Sequence, residues 1–378
     1  MSAINIDWAT VYQDFSEELP LISAQSAAWF DSETGEYLGT TQPTTKQEGS
    51  YSTSVQVRVS GNRVTCSGNP SRFDRLDNVI GCRTLDHAMS VFNRLLSKIG
   101  LPEFTKCTRT WILQQGSDKA STVSDGAVFQ RIDINRNRAV GHGNEQAYLK
   151  GLATLRYRHS IPFLYPDGYT VDWSSKNGSN FLLYPSVYTK GVELRKHSLS
   201  KIKRRLGETS DEYTYVSKLA DYCDQIGLVR FELKLYSRLL QREGLKFWGL
   251  FDESKFHHML DDFCSIDSKL QVERMDIETI SERLISSGVC SSTHAANTTA
   301  NYAMCWMSGK QFDFKKRQVQ DHAARLNRIG INIRLPCDIT KSSPVYVKRA
   351  IEVVVSDNVI VPSWYRHIDY KPALRAVA

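Results

Sequence analysis

The chain has 378 residues, of which 41% are hydrophobic and 24% charged, a composition that predicts a globular protein with a sizeable core and two domains. Its 48 Lys and Arg residues outnumber its 41 Asp and Glu residues, and the net charge of +7 favours an anionic partner without identifying it. The eight cysteines are widely spaced and include no CxxC pair, which predicts reduced thiols and argues against a zinc finger. The acidic N-terminal segment is unlike a signal peptide, and no apolar run is long enough to span a membrane. We therefore expect a cytoplasmic protein.

The first strong signals along the chain are a hairpin and a helix. Residues 55–67, VQVRVSGNRVTCS, form two short runs on either side of a Gly-Asn pair, which predicts two strands joined by a tight turn. Apolar residues then recur at helical spacing from Ala88 to Ile99, with Thr84 as the N-cap and Gly100 as the end. A hairpin followed by a helix is typical of an α+β unit.

Two later strands each carry an arginine and an acid on the side opposite their aliphatic residues. Arg131 and Asp133 share one face of the strand in AVFQRIDIN, and Arg230 and Glu232 share one face of the strand in LVRFELKLY. Each Arg-x-acid pair therefore projects from a face that is not the aliphatic core.

A third alternating stretch covers residues 182–190. Tyr184, Tyr188 and Lys190 lie on one side of the predicted strand. Glu193 has the wrong parity for that side, and we expect a bulge at Gly191 to turn it toward the same face.

Helical patterns occupy residues 144–159 and 210–226, the second with Ser210 as a cap and Gly227 as the stop. We therefore expect a mainly antiparallel sheet with helices packed on one face, while the other face is left free. This architecture corresponds to an α+β fold.

The pattern changes near residue 250, beyond which three segments look helical and begin near aspartates that can act as caps. We place a domain boundary there. Residues 1–250 are expected to form the α+β domain, and residues 251–378 a mostly helical domain with a DNA-binding or regulatory role.

Several of these side chains suit the chemistry of DNA strand transfer. A tyrosine can store a phosphodiester bond as a covalent ester, but its phenol, with a reference pKa of about 10, needs a nearby cation or divalent metal at neutral pH. One or two carboxylates plus substrate phosphate typically hold Mg²⁺. The pattern predicts Tyr188 as nucleophile, Lys190 as the cation, and Asp133 with Glu232 as the acids.

A dense cluster of positive charge comes directly after the predicted nucleophile. This density suits a DNA backbone, and Arg131 and Arg230 are further expected either to position the acids or to contact phosphate. The cluster contains Arg195, Lys196, Lys201, Lys203, Arg204 and Arg205.

Each feature also has a purely structural interpretation. A strand tyrosine usually packs in a core, an Arg-x-acid pair on a strand is usually a cross-strand ion pair, and a basic run can be a solvated helix face. Taken singly, none of these features justifies an enzyme assignment.

A series of segments, in this order, resembles the replication initiator of filamentous bacteriophages, the gene II protein family. The Tyr-x-Lys-x-x-Glu core and the Val-Arg-Phe-Glu segment are the more specific parts of the resemblance. The segments are SGNPSRFDRLDNVIGC (67–82), FQRIDIN (129–135), LLYPSVYTKGVEL (182–194), GLVRFELKLYSRLLQREGL (227–245) and DNVIVPSWYRHIDYKPAL (357–374).

The resemblance implies a site-specific nickase that starts rolling-circle replication by cutting one strand of a double-stranded circle, stays on the 5′ phosphate and later closes the displaced strand. It places the nucleophile at Tyr188, completes that motif with Lys190 and Glu193, and matches the acidic positions to Asp133 and Glu232. With these residues we expect Mg²⁺ or Mn²⁺ as the cofactor, and Glu193 as a third ligand or as the partner that orients Lys190.

The same resemblance implies partners and a shorter product. A host polymerase would extend the free 3′ hydroxyl, a host helicase would unwind the duplex, and the number of copies at the origin is open. A shorter protein of this family can start at an internal methionine, for which Met275 is suitably placed.

Two alternatives stay open from the residues alone. A metal-independent tyrosine recombinase is suggested by the His-x-x-Arg fragment His322–Arg325, although Tyr346 and Tyr365 are poorly spaced after it. A non-catalytic DNA-binding replication regulator would use the same basic surface. Tyr184, four residues before Tyr188, is a remote second choice as nucleophile.

Overall fold

The computed structural model describes residues 4–20, 22, 27–41, 44–49, 53–115, 119–174, 182–267, 277–329, 331–334 and 359–367. The chain divides into two compact units. Unit 1 comprises Met1–Glu145, Ser174–Phe263 and Val354–Ala378, and unit 2 comprises Gln146–Trp173 and Cys264–Val353. The predicted boundary near residue 250 stays a prediction.

The described strands lie between residues 5 and 236, and the helices beyond residue 236 follow one another without a further described strand. The strands are β1 (Asn5–Asp14), β2 (Ala27–Phe30), β3 (Tyr37–Thr41), β4 (Thr45–Glu48), β5 (Ser54–Ser60), β6 (Arg63–Gly68), β7 (Thr110–Gln115), β8 (Lys119–Ser124), β9 (Val128–Ala139), β10 (Ile161–Leu164), β11 (Thr170–Ser174), β12 (Leu183–Thr189) and β13 (Leu228–Tyr236).

The helices are α1 (Leu85–Lys98), α2 (Glu145–Leu152), the short turn α3 (Lys190–Glu193), α4 (Ser200–Leu206), α5 (Asp211–Gln225), α6 (Ser237–Arg242), α7 (Ser254–Cys264), α8 (Ile277–Ser286), α9 (Thr293–Met307) and α10 (Arg317–Arg328). A π-helical stretch, Leu194–Leu199, joins α3 to α4.

Seven strands of unit 1 lie side by side in the order β12-β13-β9-β1-β6-β5-β4, and every neighbouring pair among them is antiparallel. Their apolar residues are buried on one side, as shown by Ile132, Ile134, Phe231 and Leu233, each at most 1% exposed. The predicted α+β class with a mainly antiparallel sheet is confirmed.

Local signals in the sequence place several elements correctly. The hairpin of β5 and β6 turns at Gly61, whose φ of +60° favours glycine. Thr84 caps α1 by accepting a hydrogen bond from the His87 backbone N–H at 3.1 Å, and Ser210 caps α5 in the same way through Tyr213.

The expectation that the polar face of the sheet is left free is wrong. The loop of residues 69–82 covers the part of this face around Asp7 and Arg230, because its polar groups bond to polar and charged side chains that project from the strands. Asn69 and Asn78 donate to the Asp7 carboxylate at 3.0 and 2.6 Å, and the Gly81 backbone N–H donates to the Asn5 side chain at 3.1 Å.

Unit 2 contains the hairpin of β10 and β11 and a helical region with its own apolar core. Leu284, Trp306 and Leu326 from α8, α9 and α10 contribute to this core. The predicted helical character of the C-terminal region is confirmed. In the part of the chain that the structure describes, no helix combines the length and apolar character that a membrane crossing requires.

Candidate active site

Strand β13 lies between β12 and β9 and brings side chains that are far apart in sequence onto one face. Tyr188 pairs with Arg230, which pairs with Asn137. Glu232 lies two residues later on β13, and Lys234, the next residue on the same face, pairs with Asp133. Paired residues project to the same side, so Tyr188, Glu232 and Asp133 share the polar face, as predicted.

Tyr188 is partly exposed, and its hydroxyl donates a hydrogen bond to Glu232 Oε2 at 2.9 Å. Burial raises the pKa of the phenol well above its usual range, and the Glu232 carboxylate raises it further. The Arg230 guanidinium lowers the pKa of the same phenol. The phenol is therefore protonated at rest, with an acceptor already in contact with its proton.

Arg230, which pairs with Tyr188 across the two strands, is fully buried, and its guanidinium is engaged by several acceptors. Its guanidinium donates to Asn137 Oδ1 at 2.9 Å, to Asp7 Oδ2 at 3.3 Å, and to the carbonyls of Asn78 and Val79 at 2.7 and 2.9 Å. The prediction that Arg230 contacts DNA is therefore wrong, because a buried guanidinium with these partners presents no donor to a phosphate. It is a fixed positive charge within the site.

Lys190 is also fully buried, and its ammonium donates to Asn78 Oδ1 and to Glu193 Oε2, both at 2.7 Å. Burial lowers the pKa of Lys190, and Arg230 lowers it further. Burial acts to raise the pKa of Glu193, but Lys190 together with Arg72 and Arg230 outweighs burial, and the pKa of this carboxyl is lowered. Glu193 is thus the ionised partner that holds Lys190.

The predicted bulge at Gly191 is wrong, because the strand ends at Thr189 and a helical turn begins at Lys190. Positions three apart on a helical turn are neighbours, so Lys190 and Glu193 meet without a bulge. Gly191 itself packs against α5. A Cβ there would clash with the Asp224 carboxylate and lie 3.1 Å from the Ala220 carbonyl, so a larger side chain requires the helices to separate.

Asp133 is 4% exposed and is gripped by Arg131, whose Nε and Nη2 donate to its two carboxylate oxygens at 2.8 and 2.6 Å. Burial raises the pKa of Asp133 to about 7, Arg131 opposes this, and the Glu232 carboxylate adds to it. The Arg131 guanidinium lies 5.3 Å from the Trp8 ring and 5.7 Å from the Tyr236 ring. Arg131 therefore holds Asp133 in a bidentate ion pair, and the two roles predicted for Arg131 stay predictions.

The predicted three-carboxylate metal site does not assemble. In the described residues, no three His, Cys, Asp or Glu side chains lie close enough to share an ion, and Glu193 is turned toward Lys190. Asp133 and Glu232 remain as a pair whose charges interact through a buried environment. Two carboxylates beside a substrate phosphate fit what Mg²⁺ typically uses, so this pair is a suitable donor set.

The basic segment begins directly after the site. Leu194, Leu199 and Ile202 are buried in a core with α5, which turns most of the basic residues outward. Arg195 is the exception, since its guanidinium pairs with Asp221 and Asp224 at 2.7 and 2.5 Å. Lys203 pairs with Glu208. The exposed members are Lys196, Lys201, Lys203, Arg204 and Arg205.

Comparison with known proteins identifies the family. The model for the N-terminal part of the phage replication-associated protein, the gene II protein, matches residues 5–254, and the model for its C-terminal part matches residues 284–370. The chain belongs to this family. The replication-associated protein of Escherichia phage If1 is 49% identical over 312 residues, which is 82% of this chain and 97% of that relative. No solved structure matches the chain.

Family membership confirms the resemblance seen in the sequence and establishes a replication-associated protein. It does not assign roles to individual residues. The roles predicted for Tyr188, Lys190 and the acids therefore depend on the geometry described above.

Three residues of the site escaped the sequence analysis: Asp7, Asn78 and Asn137. Asp7 carries a detectable signal, since it is an acid between the apolar residues Ile6 and Trp8 near the start of a strand. Asn78 and Asn137 carry none, because a polar side chain in a turn-rich loop or on a polar strand face is ordinary. Their importance arises only from contacts with residues 112 and 93 positions away in the chain.

The structure assigns the described residues behind the recombinase alternative to different units. His322 is buried in unit 2, where it shares a hydrogen bond of 2.9 Å with Thr299 and stacks on Tyr302 at 4.3 Å between ring centroids. Tyr365 is 4% exposed. Tyr346 lies outside the described residues, as does Met275.

Tyr184, the second choice as nucleophile, lies on the same face of β12 as Tyr188. Its ring is 5.0 Å from the Lys234 ammonium. It therefore offers a comparison residue for Tyr188 on the same strand.

Proposed function

We propose that this protein initiates and terminates rolling-circle replication of a circular phage genome as a site-specific DNA nicking-closing enzyme. The observation that carries the proposal is the hydrogen bond of 2.9 Å from Tyr188 to Glu232 beside the buried Arg230 charge. A nucleophile in contact with an acceptor for its proton and near a fixed positive charge is the arrangement that covalent catalysis requires.

In this mechanism the Tyr188 oxygen attacks a phosphorus of the DNA strand, and its proton passes to Glu232 Oε2. The new oxygen–phosphorus bond replaces the bond to the 3′ oxygen, which leaves with a proton from solvent as a free 3′ hydroxyl. The strand is then joined to the protein through a 5′-phosphotyrosine. Attack by a 3′ hydroxyl on this ester reverses the step and closes the strand.

The other residues of the site support this exchange. Arg230 offsets the negative charge that develops on the phenol oxygen, and Lys190 adds a second buried positive charge held by Glu193 and Asn78. Asp133 and Glu232 would hold Mg²⁺ or Mn²⁺, which when bound supplies Lewis-acid stabilisation of the phosphate.

The exposed basic residues after Tyr188 are proposed to hold the DNA backbone. They begin at Lys196 and lie mainly on a solvent-facing helix. A double-stranded origin and the displaced single strand are the proposed substrates in the host cytoplasm. A host polymerase would use the 3′ hydroxyl, and a host helicase would open the duplex.

The proposal is tested by the Tyr188→Phe variant, which removes one hydroxyl and keeps the ring. Supercoiled origin DNA and a labelled single-stranded origin oligonucleotide are each incubated with protein and Mg²⁺ or Mn²⁺. We expect wild type to nick the circle and to form a covalent protein–DNA adduct that maps to the peptide containing Tyr188, and the variant to do neither.

Tyr184→Phe is the matched control, because it removes the same group from the same face of the same strand, and we expect it to retain both activities. Nicking by Tyr188→Phe would assign the reaction to another residue. A wild-type protein that binds the origin but never nicks would instead support the second candidate, a non-catalytic replication regulator.

A further inference from the structure

The segment of residues 359–367, here called the C-terminal strap, packs against unit 1 although it comes after unit 2 in the sequence. Trp364 lies edge-to-face on Tyr215 and Tyr222 of α5, with ring centroids 6.0 and 6.4 Å apart. The Lys218 ammonium lies 4.5 Å from the same indole ring. The strap is therefore held on the catalytic unit by aromatic packing.

Tyr365, the next residue of the strap, is 4% exposed, and its hydroxyl reaches into the 69–82 loop. The hydroxyl donates to Asp77 Oδ1 at 2.8 Å and accepts from the Ile80 backbone N–H at 2.9 Å and from Arg75 Nη2 at 3.3 Å. A hydroxyl offers one donor and two acceptor sites, so its full bonding capacity is spent on this loop.

A second tyrosine completes the hold on the loop. Tyr215 of α5 donates to the other oxygen of Asp77 at 3.1 Å and accepts from the backbone N–H of Arg366 at 3.3 Å. Arg75 Nη2 also donates to the Arg366 carbonyl at 2.8 Å. Asp77 is thus fixed from two sides, and the strap itself is part of the clamp.

Asn78 and Val79, which lie between Asp77 and Ile80, contact the buried cations of the candidate site. Asn78 accepts from the Lys190 ammonium and donates to Asp7, and the carbonyls of Asn78 and Val79 accept from Arg230. Asp77 and Ile80, which flank this pair, are the residues that the Tyr365 hydroxyl binds. The hydroxyl of Tyr365 therefore fixes the segment that places both buried cations of the site.

We propose that Tyr365 is a positioning residue for strand cleavage, acting through the 69–82 loop on Lys190 and Arg230, so that the C-terminal strap is an integral part of the catalytic unit. This inference rests on the proposed function of Tyr188. It assigns a role in the reaction to a residue within the stretch that the family's C-terminal model matches.

The test compares Tyr365→Phe with Tyr222→Phe in the full-length protein. Each variant removes one hydroxyl that forms a hydrogen bond within or to the strap. The Tyr222 hydroxyl donates to the Ile360 carbonyl of the strap, whereas the Tyr365 hydroxyl donates to Asp77 of the 69–82 loop. Single-turnover cleavage of a labelled single-stranded origin oligonucleotide is measured at saturating protein. Its amplitude gives the fraction of competent molecules, and its rate constant gives their reactivity.

We expect Tyr365→Phe to react with full amplitude but roughly tenfold more slowly, the effect of losing one hydrogen bond to a charged group, with unchanged affinity for the oligonucleotide. Tyr222→Phe should react at the wild-type rate. A merely structural role would lower the amplitude and leave the rate constant of the surviving molecules unchanged, and that result would overturn the proposal, as would a wild-type rate and amplitude.

Tyr188→Phe is included so that two kinds of failure are separated. If that variant also forms the adduct, the proposed nucleophile is wrong. If it is inactive while Tyr365→Phe behaves as wild type, the nucleophile stands and the positioning role of Tyr365 fails.

Discussion

Burial, the Arg131 guanidinium and the Glu232 carboxylate all shift the pKa of Asp133. Burial raises its pKa the most, and the result is a pKa of about 7 despite the ion pair with Arg131. A carboxyl tuned in this way exchanges its proton near neutral pH. Such perturbed groups cluster at functional sites, although buried ion-pair networks in ordinary structures also produce them.

The raised pKa of Asp133 predicts a specific dependence of stability on pH. The unfolded chain releases this proton near pH ~4, whereas the folded protein keeps it to about 7. Between these values the folded state binds more protons, so the contribution of Asp133 to stability is fully present below about pH 4 and is lost as the pH rises through 7.

Asp133→Asn removes the titrating group. We expect the free energy of unfolding of wild type, relative to that of the variant, to fall by roughly 1 to 4 kcal/mol between about pH 4 and pH 8. Urea unfolding followed by tryptophan fluorescence at several pH values measures both curves. Two curves that stay parallel across this range would show that Asp133 is already ionised at low pH in the folded protein.

At the scale of elements, the junction of β12, α3 and the π-helical stretch links Tyr188, the proposed nucleophile, to the basic segment. The strand fixes Tyr188, the helical turn fixes Lys190 and Glu193, and the buried Leu194 and Leu199 anchor the π-helical stretch that leads into α4. The segment that carries the positive charges is therefore continuous with the strand that carries Tyr188. If this segment binds DNA as proposed, the phosphates that contact it lie within a limited distance of Tyr188.

This arrangement predicts that Lys201→Gln combined with Arg204→Gln weakens DNA binding more than it slows the chemistry. Removing one phosphate contact should reduce the slope of log affinity against log salt by about 0.9, and removing both should reduce it by about 1.8. Fluorescence anisotropy with duplex origin DNA at several salt concentrations measures the slope. The nicking rate at saturating protein should stay close to that of wild type.

The matched control is Lys46→Gln combined with Arg58→Gln, which removes the same charge from β4 and β5, at the opposite end of the seven-strand order from β12. It should leave the slope near the wild-type value. An equal reduction in both double variants would mean that binding responds only to net charge and that the basic segment is not a specific contact surface.

At the scale of the whole molecule, the sequence predicts those features that depend on local physics. The cap at Thr84, the Gly61 turn and the alternation on β9 and β13 need only neighbouring residues, and the structure reproduces each. The shared face of Tyr188, Asp133 and Glu232 also results from alternation, once the three strands are taken to lie in one sheet.

The features that the sequence does not predict depend on distant pairings. Nothing local indicates that the 69–82 loop lies over the polar face, that Asp7 meets Arg230 across 223 positions, or that the strap returns to clamp the loop. Polar groups in such a loop look solvated until the sheet supplies buried charges that they satisfy. Because the polar residues of this loop look solvated in the sequence, the sequence predicts that the polar face of the sheet is exposed to solvent.

The requirement for a metal distinguishes the proposed enzyme from the remaining tyrosine-based alternative. A recombinase stabilises phosphate charge with protein cations alone, but the histidine of the fragment that suggested it, His322, is bound to Thr299 in a helical core. At the Tyr188 site the Glu232 carboxylate still raises the pKa of Asp133, although Arg131 pairs with Asp133 and Lys234 lies 3.6 Å from Glu232. A divalent ion would complete the charge balance when the phosphate arrives.

We therefore expect excess EDTA to abolish both nicking and formation of the covalent adduct, while leaving origin binding within about twofold, because binding depends on phosphate contacts with Lys and Arg. Added Mg²⁺ or Mn²⁺ should restore both activities. EDTA saturated with Mg²⁺ beforehand is the control for ionic strength. Adduct formation at an undiminished rate in free EDTA would rule out Asp133 and Glu232 as metal ligands and would assign the stabilisation of the phosphate to Arg230 and Lys190 alone.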